Sequence, residues 1–576
     1  MQNFRLSAVE RLARASGLDA SRVDELLQEA QAGRGDFALP CFTLAKELRQ
    51  APPAIAARIV EAFEPGDGIA AVAEGPYVNV TVERDLLART TLEAVASEGD
   101  AWGGSKAGEG KTVVIDYASP NAAKPLAFHH LRTTMIGHSL VRIYRSGGWR
   151  TVGINHLGDW GTGFGKLLLA WELYGSEDRL ATVTNDELVD LYVRINGDIA
   201  EEKKAGGTDL ADRARDWFRR LEQGDPTARE RWTRFIQVSE KAFDAMYVLL
   251  GVSFDHIWGE SRYEARMPAV MQELREKGLL QRSEGAEVVH LDEEGMPPCL
   301  VAKADGATLY ATRDIAAALE RHERFGFDRA LYVVDRGQAL HFKQFARVLE
   351  KAGHGWAREI RHVPFGVIRM GGKKAKTREG GVVLLIDVLQ SAIDKVQAII
   401  QEKNPDLANA EDVARDVGVG AVIFNDLKNR RETDIDFDLD QIVRFDGKTG
   451  PYVMYSHARA CSILRKAGEP LRRIDDIDPG LLEDPAEHAL LRLIALFPTR
   501  VDKALEKDEP SEIAKYLLDL CEAFHHYHTK GGRDIELRVL HTDADVRAAR
   551  LRLTDAVRQT MKNALHLLGM RAPTGM

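Results

Sequence analysis

Cysteine is scarce in this chain: Cys41, Cys299, Cys461 and Cys521 are the only 4 in 576 residues. They are too far apart for a Cys-x-x-Cys metal site or a disulfide framework, which suits a reducing cytosol. Long apolar runs are also absent. None approaches the roughly 20 residues that span a bilayer, and Met1-Gln2-Asn3-Phe4-Arg5 lacks the apolar stretch of a secretory signal. The expectation is a cytoplasmic protein with no membrane partner. Nor is there an excess of positive charge: 78 Lys and Arg stand against 88 Asp and Glu, a net of -10. That argues weakly against a nucleic-acid partner. Charges farther off than about 8 Å are largely screened at physiological salt, however, so an acidic enzyme can still carry a basic groove. A Walker A loop is missing too. Gly158–Lys166 is glycine-rich, but Trp160 stands where glycine is needed and Leu167 where Ser or Thr is needed, leaving a structural loop beside a cleft. Cys521 and His525 share a helix face. No second pair is spaced to complete a tetrahedron, so no protein-held metal is expected and helix packing is the plain reading.

What is present is length and periodicity. A single core rarely serves 576 residues, so several domains are expected. The first hundred residues read as an α+β module. Helical spacing appears in 6–12, 23–27 and 55–63, and Val78, Val80 and Val82 alternate with Asn79 and Thr81 as in a half-buried strand. Glycines at 103–104 and 108–110 mark a boundary. Val113-Val114-Ile115-Asp116 then reads as a buried parallel strand, followed by a loop, a helix from about Ala127 to Arg145 and a strand at 151–154. Strand, loop, helix, strand is the unit of a doubly wound nucleotide-binding sheet. Residues 167–250 are polar and helical in pattern. The segments 288–291, 299–303 and 308–311 suggest a small meander, with Asp305-Gly306 in its second turn. Arg329–Val334 is another buried strand, and from about Asp387 the pattern is almost entirely helical. The predicted fold is α/β: a doubly wound Rossmann-type domain over 111–388 with a helical insertion at about 167–258. It is flanked by an N-terminal α+β domain over 1–104, a helical connector over 389–451 and an all-helical bundle over 452–576.

Two stretches carry chemistry. Ser119-Pro120-Asn121-Ala122-Ala123-Lys124-Pro125 leaves the carboxyl end of the first strand, where open sheets bind ligands. The following helix would point its N-terminus, with His129 and His130 in the first turn, at the same crevice, where anions bind. A plain loop-to-helix turn is the alternative. Lys373-Lys374-Ala375-Lys376-Thr377-Arg378 lies between paired glycines. Its lysines and hydroxyl suit a triphosphate; on the residues alone, a solvated charge run is the simpler reading.

Taken in order, these blocks resemble class I aminoacyl-tRNA synthetases, and the arginine branch in particular. Ser119–Lys124 with Pro125-Leu126 is similar to the approach to that family's HIGH signature, and Asn155–Thr162 to its next strand and loop. Leu309–Ala317, Tyr332–Asp335 and Leu340–Gln344 are also family-like. Lys373–Thr377 resembles the KMSKS loop with both lysine positions filled. Pro451-Tyr452 and Tyr455–Arg459 resemble the entrance to the anticodon-binding domain, and Gly569–Pro573 the family's C-terminus. One block departs: where the family has His-x-Gly-His, this chain has Ala127-Phe128-His129-His130.

The resemblance implies ATP-dependent ligation of L-arginine to tRNA-Arg through an arginyl-adenylate, by a monomer, with Mg²⁺ on the phosphates. The N-terminal module would touch the outer corner of the tRNA. The competing class is a synthetase-like protein that binds tRNA or arginine without charging. In the charging reading His130, Lys373, Lys376 and Lys124 serve catalysis. Ala127, Phe128, His129, His130, Lys373, Lys376 and Thr377 serve ATP. Asp116 and Asn121 hold the α-amino end of arginine, while Tyr310, Asp314 and Gln338 hold its guanidinium. If the helix begins at Ala127, then Ala127 and His130 share a face and His129 lies on the far side, at about 100° per residue.

Overall fold

The computed structural model describes residues 1–31, 33–303, 310–371, 373–374 and 383–576, without the side chains of Gln2, Lys373 and Lys374. At the N-terminus an antiparallel sheet is ordered β1-β2-β4-β3, from β1 (Gln28–Glu29), β2 (Phe37–Pro40), β3 (Ile69–Glu74) and β4 (Tyr77–Val82). Val78, Val80 and Val82 bury one face against helices Gln2–Ser16 and Pro52–Glu61. Asn79 is buried as well, because its amide donates to Glu74 Oε2 at 2.9 Å. This module clasps the far end of the chain. Arg492 donates to the Ala30 and Asp36 carbonyls at 3.1 Å each, and Arg500 pairs with Glu29 at 2.7 Å.

The central sheet is wholly parallel, ordered β12-β11-β5-β6-β7, from β5 (Thr112–Asp116), β6 (Arg150–Leu157), β7 (His256–Gly259), β11 (Arg329–Asp335) and β12 (Ile360–Phe365). Every residue of β5 is buried, as its run of Val and Ile requires of a strand covered on both faces. The chain goes from β5 to β6 on one side and returns to β11 on the other. The order therefore reverses between β5 and β11, and ligands bind at such a reversal. Helices Thr162–Tyr174, Asn185–Lys204, Asp209–Glu222 and Pro226–Leu250 fill the crossover from β6 to β7.

The meander differs from expectation. Its order is β10-β9-β8, from β8 (Leu280–Ser283), β9 (Ala286–Val289) and β10 (Cys299–Ala302). Tyr310 and Ala311 instead begin helix Tyr310–Phe325, whose alanines and Ile315 pack inward at helical spacing. The Asp305-Gly306 turn lies outside the described residues. The late helical region also holds the short strand β15 (Ile435–Asp436). It pairs in parallel with β13 (Ile368–Met370), the strand expected from Val367-Ile368 before the lysine cluster, and β13 pairs on its other edge with β14 (Lys373–Lys374). Helices Leu385–Lys403, Ala410–Leu427, Gly450–Ala467, Pro485–Lys507, Ser511–Arg533 and Ala544–Leu567 complete the chain, sharing one hydrophobic core with the central sheet. Cys521 is fully buried in that core, and His525 bonds Ser456 at 3.0 Å and Arg459 at 3.0 Å, so both act in helix packing.

Candidate active site

The loop leaving β5 is held in an unfavourable conformation. Ala118, Ser119 and Ala123 have φ of 72°, 44° and 57°, in the left-handed region that costs a side-chain-bearing residue of order 1 kcal/mol or more. Surrounding bonds impose it. Thr133 Oγ1 accepts the Ala118 N–H at 3.1 Å and donates to the Val333 carbonyl at 2.7 Å. Ser239 Oγ takes the Ala123 N–H at 2.8 Å. Asn121 bridges to Gly158, where a Cβ would lie 2.4 Å from Asn121 Oδ1. The glycine-rich loop thus has a reason unrelated to phosphate: it makes room for Asn121. Lys166 points elsewhere, to Asn196 Oδ1 at 2.7 Å.

The signature helix runs His130–Ser146, three residues later than expected. Ala127 is instead bridged antiparallel to Leu384, in the segment after the lysine cluster, and Phe128-His129 form a turn into the helix. Phe128 N–H donates to Val383 at 2.9 Å and Leu385 N–H to Leu126 at 2.9 Å, so the Leu126 carbonyl is taken and does not accept the first helical bond. Ala127 is therefore not on the helix, and the face argument for Ala127 and His130 does not apply. Contact is made another way: His130 Nδ1 accepts the Ala127 N–H at 3.0 Å. The same nitrogen lies 3.1 Å from the Ala127 carbonyl. Burial pushes His130 down to about 4, with His129 and Lys124 acting in the same direction and the contact with the Ala127 carbonyl opposing. Burial also lowers His129, whose ring lies 4.2 Å from that of His130 rather than on the far side. The pair is a neutral hydrogen-bonding surface at pH 7, not the doubly basic one its residues suggest. Phe128 is buried against Phe437, leaving only main-chain atoms for a nucleotide. Exposed Lys124 lies 5.4 Å from the Tyr192 ring centre. Of the lysine cluster only the backbone of Lys373 and Lys374 is described; Lys376 and Thr377 lie outside the described residues.

Asp116 sits at the end of β5, buried, with Oδ2 2.7 Å from Arg321 Nη1 and Oδ1 accepting from Ser119 at 3.0 Å. Arg321 also meets His156 Nδ1 at 3.3 Å. Asp314 projects from the same helix as Arg321 and lies 2.5 Å from His341 Nε2, each side chain about a quarter exposed at 24% and 26%. Its charge acts on Tyr332, His156 and Glu260, which places it in the same crevice. Tyr310, 70% exposed, stands one turn before Asp314 on that helix. Gln338 is exposed at the end of the turn following β11.

Sequence reasoning missed a carboxylate group beside these residues. Arg313 binds Glu260 at 2.7 Å and Glu264 at 3.1 Å. Burial lifts Glu260 to about 7, Arg313 opposing and Asp314 adding to the rise. Asp159 is raised by burial while accepting from Ser261 Oγ at 2.5 Å. Only the adjacency of Arg313 to Asp314 hinted at such a partner. The site can therefore hold a cation against carboxylates and offer a neutral donor to an oxyanion. Among the described residues, no three acidic, histidine or cysteine side chains converge as metal ligands.

The chain is similar to known proteins along nearly its whole length. Residues 91–439 match the family model described as tRNA synthetases class I (R), catalytic domain. Residues 453–576 match the DALR anticodon binding domain and residues 4–82 the arginyl tRNA synthetase N terminal domain. An arginine–tRNA ligase of Exiguobacterium sibiricum is 46% identical over 560 residues, 97% of each chain. One of Ligilactobacillus salivarius is 45% identical over 542 residues, 94% of each chain. The solved Thermus thermophilus arginyl-tRNA synthetase superposes with a TM-score of 0.82 at 26% identity, covering 99% of this chain and 100% of that one. The Plasmodium falciparum arginyl-tRNA synthetase shares the fold, with a TM-score of 0.80 at 22% identity over 96% and 94% of the two chains. With its N-terminal, catalytic and anticodon-binding regions all matched in order, the chain belongs to the arginyl-tRNA synthetase family of class I ligases.

Proposed function

We propose that this chain activates L-arginine with MgATP and transfers it to tRNA-Arg through a bound arginyl-adenylate. The observation that carries the reading is the Asp314 carboxylate, which bonds His341 and acts on His156, Tyr332 and Glu260 in the crevice at the carboxyl edge of the parallel sheet. Arginine presents a planar, permanently charged group with five donors and needs a carboxylate partner. Asp314 supplies that partner, with Tyr310 and Gln338 beside it. Asn121 and Asp116 take the α-amino end, Asp116 held in place by Arg321.

The arginine carboxylate attacks the α-phosphorus, and pyrophosphate leaves with the electrons of the broken P–O bond. Positioning and electrostatic stabilisation supply most of the rate. His130 donates a ring N–H as a neutral group; Lys124, Lys373 and Lys376 supply positive charge. Ala127 and Phe128 offer main-chain atoms, His129 a ring face and Thr377 a hydroxyl to ATP. Mg²⁺ arrives on the substrate's phosphates, as is usual for an ion that keeps several waters and takes few protein ligands.

The reading carries a monomeric, cytoplasmic enzyme; among the described residues no helix is long and apolar enough to cross a membrane. ATP–pyrophosphate exchange with and without tRNA tests it. Arginine-dependent exchange is expected only when tRNA-Arg is present, followed by charging of that tRNA. Binding of arginine or tRNA with no charging under any condition would favour the non-charging reading, and robust exchange without tRNA would remove the tRNA requirement.

A further inference from the structure

All three regions of the chain meet around a cavity of about 760 Å³ at the end of the signature helix remote from His130. Trp102 lines it from the turn after the N-terminal module, His138, Arg142 and Arg145 from helix His130–Ser146, and Lys562 and His566 from helix Ala544–Leu567. Two guanidiniums here have no carboxylate partner among the described residues. Arg142 donates from Nε to His138 Nε2 at 2.9 Å and from Nη1 to the His566 carbonyl at 3.1 Å. Arg145 donates to Thr151 Oγ1 at 3.0 Å.

The acids in the wall are largely committed. Asp100 takes Lys562 at 2.6 Å and Gln559 at 2.7 Å, and Asp255 accepts the Gly153 N–H at 2.8 Å. Glu98 remains, and burial raises its carboxyl pKa. Because His138 Nε2 accepts from Arg142, its proton sits on Nδ1. That buried nitrogen has no hydrogen-bond partner among the described residues, and neither has Trp102 Nε1. Such groups cost free energy unless matched. Those two nitrogens are closed off from the cavity, so the charge left in its wall is carried by the two guanidiniums, whose remaining N–H groups suit an acceptor with several oxygens. The negative end of the helix opposes an anion there, but Arg145 in the last turn offsets it.

We propose that this cavity binds a small phosphate-type oxyanion, at a site separate from the ATP crevice. Twelve residues along the helix separate Arg142 from His130, about 18 Å at 1.5 Å per residue. A bound oxyanion bridges the catalytic region at Arg142 to the C-terminal bundle at Lys562 and to the boundary turn at Trp102, so its binding stabilises the junction.

The test is calorimetric titration of the full chain with inorganic phosphate against chloride at constant ionic strength. Wild type and His130→Ala are expected to show the same saturable site. Arg142→Gln with Arg145→Gln is expected to weaken it at least tenfold while leaving the KM for ATP unchanged. If the double variant fails to fold, Arg145→Gln alone, which loses only the Thr151 bond, is expected to weaken binding several-fold. No saturable phosphate site in wild type overturns the proposal, as does equal binding by the arginine variants. Weakened tRNA affinity in the variants without phosphate saturation overturns it also, by assigning the surface to an RNA backbone.

Discussion

Replacing Asp314 by Asn keeps shape and hydrogen-bonding capacity but removes the charge. A fully buried cation left without its partner would cost about 3–5 kcal/mol. Asp314 is 24% exposed, however, and His341 at 2.5 Å already competes for it. Solvent screening and exchange of one partner for another both reduce the net worth of the contact. A charge-assisted hydrogen bond is worth about 1.5–3 kcal/mol, so the expected loss is about 2–3 kcal/mol. At about 1.4 kcal/mol per tenfold, the KM for arginine should rise roughly 30- to 150-fold. Steady-state charging at saturating ATP and tRNA measures this, with kcat changing far less than KM. His341→Gln provides the internal control. It frees the carboxylate of its resident partner while keeping a donor, so the KM should change less than about fivefold. An Asp314→Asn enzyme whose arginine KM moves less than tenfold would refute the reasoning, and so would a loss confined to kcat.

His130→Ala should lower kcat by roughly 10²–10³, the usual effect of losing one transition-state donor, with little change in the KM for ATP. Because burial holds His130 near 4, the kcat–pH profile should show no inflection near 6.5; one that vanishes in His130→Ala would contradict the neutral-donor role. Burial also lowers His138 to about 3 and His457 and His525 to about 4. The unfolded chain therefore binds protons that the native state refuses, and stability is lost as pH falls from about 6.5 toward 4, by about 1.4 kcal/mol per pH unit for each proton in the difference. A Tm that stays flat between pH 6.5 and 4.5 would show that these imidazoles are accessible. Asp426 lies 2.8 Å from Arg132 with both side chains almost fully buried, so Asp426→Leu should destabilise by about 3–5 kcal/mol. A urea midpoint within error of wild type would show that Arg132 is satisfied by its carbonyl contacts alone.

Much of the frame was legible because it rests on local rules. The run Val113-Val114-Ile115 had to be buried on both faces, and strand, loop and helix in that order had to place residues 117–130 at the carboxyl edge of the sheet. The start of the signature helix was not legible. It depends on backbone bonds from 126–128 to 383–385, more than 250 residues away, and a local pattern carries no trace of that competition. The third strand of the meander failed for the opposite reason. Leu309-Tyr310-Ala311 is short and apolar, and such a run cannot be separated by periodicity from the first turn of a buried helix.

The residues of the site were legible as types; their electrostatic states were not. His129-His130 looks doubly basic on paper, and whether it is depends on how much water the fold leaves around it. Asp116 and Asp314 look equivalent as acids, yet one faces a fully buried guanidinium and the other an imidazole at a partly open crevice. Arg132 shows the same limit at a junction. Its guanidinium reaches Asp426 on helix Ala410–Leu427 and the carbonyls of Arg431 and Thr433 at 3.0 and 2.9 Å, just before β15, whose partner β13 carries β14 and the lysine cluster. Arg431 in turn reaches Pro364 at 2.8 Å and the Asp508 carbonyl at 3.2 Å, in the turn between two helices of the C-terminal bundle. The signature helix, the strand pair β13–β14 that opens the lysine cluster, and the bundle are thus fixed to one another through the short segment 426–434. That segment matches no catalytic motif because its part is to hold three others in register.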